Sequence, residues 1–256
     1  MARSRINSPN ILVPAAALAL CLVLAAAAAV AGQFRVVPIR VFLDARTRSS
    51  VISVVNDGAE TMRFQMEPVV WSQDAGGEDV YEPTGELSFF PKIMDLPPGE
   101  TRVIRLGLRI PATTVEKTYR LFIRELPPPQ EAAGSQVAIA VRFGVPVFVE
   151  PVQLVETGQI TGALYNGTDV TFEAANTGNV HFKVNRIALA AYDAEGAEVY
   201  ATERDGWYLL SGAARTHTLP VPPELCARIA RITIDIDTDR KDIAHAMEVL
   251  PGWCAE

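Results

Sequence analysis

The chain has 256 residues, enough for one large domain or two ordinary ones. With 49% hydrophobic and 21% charged residues it can build a real core, and a formal net charge of −7 excludes a global basic field that would recruit nucleic acid. Three histidines and three cysteines leave little material for a metal site.

The N-terminus is a separate object. Arg3 and Arg5 precede a nearly continuous apolar run over 11–32, which ends in Ala29-Val30-Ala31. A positive start, an apolar middle and a small-x-small end predict a secretory signal peptide over 1–31. The rival reading is an uncleaved anchor, because about twenty apolar residues can span a bilayer. Leu20 ahead of Cys21 argues against lipid attachment at that cysteine. Cleavage would remove two positive charges and no acids, taking the charge from −7 to −9. Export also sets the context for Cys226 and Cys254, the two cysteines that remain. In an oxidising compartment an even pair reads most simply as one disulfide; the alternative is two buried thiols.

From Phe34 onward the sequence is a series of short alternating runs broken by turn residues. Runs at 34–43 and 50–55 come first, the second closed by Asn56-Asp57-Gly58, a strong turn signal. A run at 62–71 leads into a turn-rich stretch at 73–79. Leu96-Pro97-Pro98-Gly99-Glu100 is another turn, followed by runs at 101–108 and 119–126 and then by Pro127-Pro128-Pro129. Beyond Pro151 the style repeats, with runs at 159–165, 170–175, 183–192, 198–210, 215–219 and 229–236 and a last run to Leu250. No run longer than ten residues has a convincing helical period. Strands at this spacing predict an all-β protein of two sandwich domains, 32–149 and 150–256. Their connection at Glu150-Pro151 is very short, which favours a fixed angle and a cleft between them.

One stretch is unusual. Residues 136–150 read QVAIAVRFGVPVFVE, and every odd position from Val137 to Val149 is a sizeable apolar residue. Period-two alternation marks a strand with one buried face. The alternation lasts about twice the usual strand length, and Gly144 and Pro146 point to an edge. A long apolar edge is an aggregation hazard unless something covers it. Filling its own domain's core accounts for five or six residues; the rest is free to face a partner.

Catalytic patterns are missing. His181, His217 and His245 lie far apart and belong to no nucleophile or metal motif, so each reads as an ordinary surface or satisfied histidine. Asp235-Ile236-Asp237-Thr238-Asp239 fails as a calcium loop, because Arg240 stands where the turn glycine belongs and Ala246 where the bidentate glutamate belongs. Asn166-Gly167-Thr168 matches a glycosylation sequon but reads first as a turn. No cofactor or metal site is expected, and no enzymatic activity.

Four features, in order, resemble the periplasmic chaperones of the chaperone–usher pilus pathway. They are Pro38-Ile39-Arg40-Val41-Phe42; Ser53-Val54-Val55-Asn56-Asp57; the proline–glycine turn at 96–100; and Phe122-Ile123-Arg124-Glu125-Leu126-Pro127-Pro128 followed by the long strand that ends at Glu150-Pro151. The resemblance implies two immunoglobulin-like domains at an angle. It also implies that this chain lends an edge strand to an incomplete pilus subunit, a form of strand addition. The donated side chains would be Val137, Ile139, Val141 and Phe143. In the better-known branch two cations anchor the subunit's C-terminal carboxylate. Arg40 matches the first, but Pro146 stands where the second, a lysine, is expected. Arg142, Arg124 and Arg120 are the candidates to replace it. This departure, together with the Val145–Val149 sequence and the "NTGN" turn, is more similar to the archaic or alternate branch.

The implied partners are a pilin-like subunit and an outer-membrane usher, in the periplasm, with self-association through the donor strand as a further possibility and no nucleic acid. The alternative is a structural or adhesive sandwich of the envelope or fibre. A fibre subunit should carry a flexible donor extension ahead of its first strand, and here the run at 34–43 follows the predicted signal directly.

Overall fold

The computed structural model describes residues 34–111, 113–126, 140–250 and 253–254. The predicted signal peptide and the donor candidates Val137 and Ile139 lie outside the described residues.

The first ten strands are β1 (Phe34–Val37), β2 (Val41–Leu43), β3 (Ser49–Asn56), β4 (Met62–Gln73), β5 (Asp79–Pro83), β6 (Leu87–Phe90), β7 (Ile93–Leu96), β8 (Thr101–Leu108), β9 (Lys117–Leu126) and β10 (Arg142–Val149). They make two facing sheets. One is ordered β1-β3-β8-β6; the other is ordered β2-β10-β9-β4-β5, with β7 also on β4. The run at 34–43 is thus two strands that belong to different sheets. Between them the chain crosses the sandwich, and β2 joins β10 in parallel. Alternating side chains from both sheets fill the core, with Ile52, Phe64, Ile104, Leu121, Val145 and Val147 all inaccessible to solvent.

The remaining strands are β11 (Gly158–Tyr165), β12 (Asp169–Asn176), β13 (Phe182–Tyr192), β14 (Glu198–Asp205), β15 (Tyr208–Leu209), β16 (Ala214–Pro220), β17 (Arg231–Thr238) and β18 (Ile243–Glu248). They form a sheet ordered β11-β12-β16 and another ordered β14-β13-β17-β18, with β15 on β13. A 3-10 helix at Pro223–Arg228 carries Cys226, which is bonded to Cys254 across 28 residues. Trp253 and Cys254 pack against the second core, so the bridge pins the C-terminal segment over it.

The two sandwiches repeat one device. Asn56 ends β3 and Asn176 ends β12, both buried. The Asn56 amide donates to the carbonyls of Glu60 and Leu96 and accepts from the Gly58 N–H. The Asn176 amide donates to the carbonyls of Val180 and Leu209 and accepts from the Gly178 N–H. Each asparagine backbone carbonyl also accepts from a glycine of positive φ, Gly99 or Gly212, a conformation that a side chain would strain. Each asparagine ties the end of one sheet to a loop of the other. Replacing Asn176 with Ala takes a partner from two buried carbonyls and a part-buried N–H, at about 1–3 kcal/mol for the site. N176A is expected to lower the thermal midpoint by several degrees while leaving the far-UV spectrum native; an unchanged midpoint in a melting experiment would contradict this role.

Candidate functional site

Strand β10 has two working faces. On one, Val145, Val147 and Val149 are buried in the first domain's core, and Phe143 packs partly against it. On the other lie Gly144, Pro146 and Phe148, of which Phe148 meets the second domain. Phe148 is fully buried and clusters with Trp71, Tyr208 and Leu210. The His181 ring lies flat on Phe148, with centroids 3.6 Å apart and planes 11° apart. At Gly144 a Cβ would come within 2.9 Å of the Phe122 ring, and the Arg142 guanidinium covers the same ring from 3.5 Å. The neighbour that requires a small residue at 144 is therefore this chain's own Phe122.

His181 is a buried, hydrogen-bonded histidine rather than a surface one. It is completely buried, and its Nδ1 and its backbone N–H both lie 2.8 Å from Oε2 of Glu116, across the domain joint. Arg240, from the second domain, reaches back to Glu156 at 2.6 Å and Glu150 at 3.3 Å in the connecting segment. These pairs, with the aromatic cluster, fix the angle between the sandwiches. Of the acids at 235–239, Asp237 accepts from the Asn185 amide and Asp239 from the Lys183 N–H, so they are engaged rather than merely solvated.

The four candidate cations separate clearly. Arg120 stands directly opposite Pro146 in the β9–β10 register, and Arg124 directly opposite Arg142. Opposed residues on neighbouring strands share a face. Arg124 and Arg142 are exposed; Arg142 pairs with Glu67 at 3.2 Å. Arg120 is buried, with its guanidinium 4.1 Å from the Trp71 ring centroid, 5.4 Å from that of Trp207 and 5.6 Å from that of Tyr81. Its nearest carboxylate oxygen, on Asp79, is 3.7 Å away, and its Nε and Nη2 have no hydrogen-bond partner. Desolvated cation–aromatic contacts offset part of the burial cost. Arg40, between β1 and β2, lies 3.7 Å from Asp239 of the second domain. Burial pushes the Tyr208 hydroxyl above its usual range, and Arg40 and Arg120 both act against that shift. Of the four, Arg40 and Arg120 each reach a residue of the second domain, Asp239 and Trp207 respectively.

Beside them opens a cleft of about 460 Å³, walled by Glu78 and Asp79 from one domain and by Arg204, Trp207, Arg215 and His217 from the other. Burial, with help from Arg204 and Arg215, holds His217 down at about 4, below the ordinary 6.5. Unfolding releases it to take a proton at the higher value. Its contribution is therefore complete above pH 6.5 and lost as pH falls toward 4, at about 3 kcal/mol in full. In melts at pH 7 and pH 4, H217Q is expected to lose less stability between the two than the wild type; equal losses would overturn the assignment.

Residues 33–155 match the family described as "Pili and flagellar-assembly chaperone, PapD N-terminal domain". No curated protein matches the chain. Among solved structures, the class 5 fimbriae chaperone CfaA is 14% identical with a TM-score of 0.56, covering 85% of this chain and 100% of its own. The CsuC–CsuE chaperone–tip adhesion subunit complex from the archaic Csu pili of Acinetobacter baumannii gives 18% and 0.56 over 83% and 98%. The Salmonella enterica SafB chaperone with the SafA pilin gives 15% and 0.54 over 86% and 99%. At these identities the structures establish a shared two-domain fold. Residues 33–155 are thus similar to the pilus-assembly chaperone N-terminal domain, and the whole chain has the fold of the fimbrial chaperones of the chaperone–usher pathway.

Proposed function

We propose that the chain is a periplasmic, non-enzymatic chaperone that captures a pilin-like subunit on the outer edge of β10 and passes it to an outer-membrane usher. The observation that carries this reading is an edge left open beside a buried cation, Arg120. Strand β2 pairs only with Val147–Val149, so among the described residues Arg142 to Pro146 have β9 on one side and no strand on the other. Exposed Val141 continues this edge outward. The donated side chains are Val137, Ile139 and Val141, with Phe143 at the boundary because it already leans on its own core. Three such side chains moved from water into a subunit's open core would contribute roughly 4–9 kcal/mol before ordering costs. Burial alone drives capture, with no nucleotide and no covalent step. Arg40 and Arg120 would hold the subunit's terminal carboxylate, a role that suits the fork geometry of guanidinium. The relatives in complex with a pilin or a tip adhesin support a subunit partner here. They do not favour the alternative of a fibre component. Uncaptured, the same edge could pair with a second copy of the chain.

The test is co-expression of the exported chain with pilin-like subunits, followed by purification from the periplasm. The wild type should yield a 1:1 complex. Ile139→Asp with Val141→Asp should abolish it, while Arg120→Met, which keeps bulk and removes charge, should weaken capture about tenfold or more. A complex that survives the double aspartate variant would sink the donor-strand assignment, and failure of the wild type to capture any subunit would sink the chaperone reading.

A further inference from the structure

Both anchor arginines already face a carboxylate of their own chain, and the two contacts differ in kind. Asp79 is held firmly: its oxygens accept from the Tyr81 hydroxyl at 3.0 Å, the Trp207 Nε1–H at 3.1 Å and the Gln73 amide at 3.2 Å. It is the fixed counterion of Arg120. Asp239 is held by one atom only. Its Oδ1 accepts the Lys183 N–H at 2.8 Å, while Oδ2 lies 3.7 Å from Arg40, within ion-pair reach but beyond a hydrogen bond. Both side chains of that pair are about one-third exposed, so an incoming anion can reach them. The pair also bridges the domains, with Arg40 on the first and Asp239 on the second.

We propose that Asp239 is a resident stand-in for the subunit's terminal carboxylate: it occupies Arg40 in the uncaptured chain and is displaced when that carboxylate arrives. This inference rests on the anchor reading of Arg40. It makes Asp239 a specificity device. Its negative charge opposes any anion that lacks the strand contacts needed to compete. Displacement also breaks one link between the sandwiches, so capture relaxes the domain joint.

The probe is a ten-residue synthetic peptide of alternating apolar residues ending in a free carboxylate, compared with its C-terminal amide, on the full exported chain at low salt. Wild type should prefer the acid. In D239N, whose side-chain oxygen still accepts the Lys183 N–H, the acid should bind about three- to tenfold tighter while the amide changes little. The gain should shrink at high salt. D239S, which keeps a small acceptor, should behave likewise if D239N melts early. An acid no better than the amide in wild type, or no binding of either peptide, overturns the anchor reading and this inference with it. A preference for the acid that D239N and D239S leave unchanged or reduce overturns this inference alone.

Discussion

The structure depends on one strand that is apolar on both faces. A β-strand presents successive side chains to opposite sides, so β10 can bury Val145, Val147 and Val149 in its own sandwich while Phe148 closes against the second domain. A strand buried on both faces cannot rotate or slip by one residue without exchanging its two surfaces. The packing of Phe148 at the domain joint and the open edge therefore belong to the same eight residues. Burial outlasts the pairing with β2 by two residues, Val145 and Pro146, and then fades: Gly144 and Phe143 are half-buried, and Arg142 and Val141 are exposed.

The charges at the joint follow from that packing. A buried ion pair adds little net stability, because desolvation offsets most of the attraction. Arg120 is an extreme case, with two unpartnered nitrogens among aromatic rings and a counterion at 3.7 Å. An apolar residue would pack there at lower cost. A cation kept at such a place, with donors to spare, fits a site built to receive an anion. The Glu116–His181 and Arg240–Glu156 contacts are different: they have short distances across the connection and hold the frame that positions the arginines.

Much of this was legible in the sequence. Alternation located most strands, and the turn residues at 56–58, 96–100 and 176–179 stand where the structure turns. Strands β5 to β7 were invisible, because they are short, lie mainly at sheet margins and mix polar with apolar residues. The run at 34–43 has one period throughout, and periodicity cannot tell that its halves join different sheets. The sites were harder for the same reason. Pro146 looked like the loss of an expected cation, but Arg120 lies across the ladder from it, and cross-strand register is not written in sequence spacing. His181 looked ordinary because its partner Glu116 is 65 positions away.

Pro146 also explains why the cation comes from the neighbouring strand. The Val141 carbonyl accepts from the Glu125 N–H toward β9, and the Glu150 N–H donates to the Leu43 carbonyl toward β2. Within a strand, the N–H and C=O of one residue point the same way and alternate along the chain. Odd residues of β10 therefore bond to β9, and even residues face the outer edge. Arg142 and Gly144 offer that edge both a donor and an acceptor; Pro146 offers no donor. A strand docking there finds backbone donors until it reaches Pro146 and none at that residue. A terminal carboxylate, which can only accept, must then take its hydrogen bonds from side chains. On the proposed reading Arg120, directly across from Pro146, supplies them. The proline and the arginine then act as one feature, the first ending the row of backbone donors and the second beginning the site for the chain end.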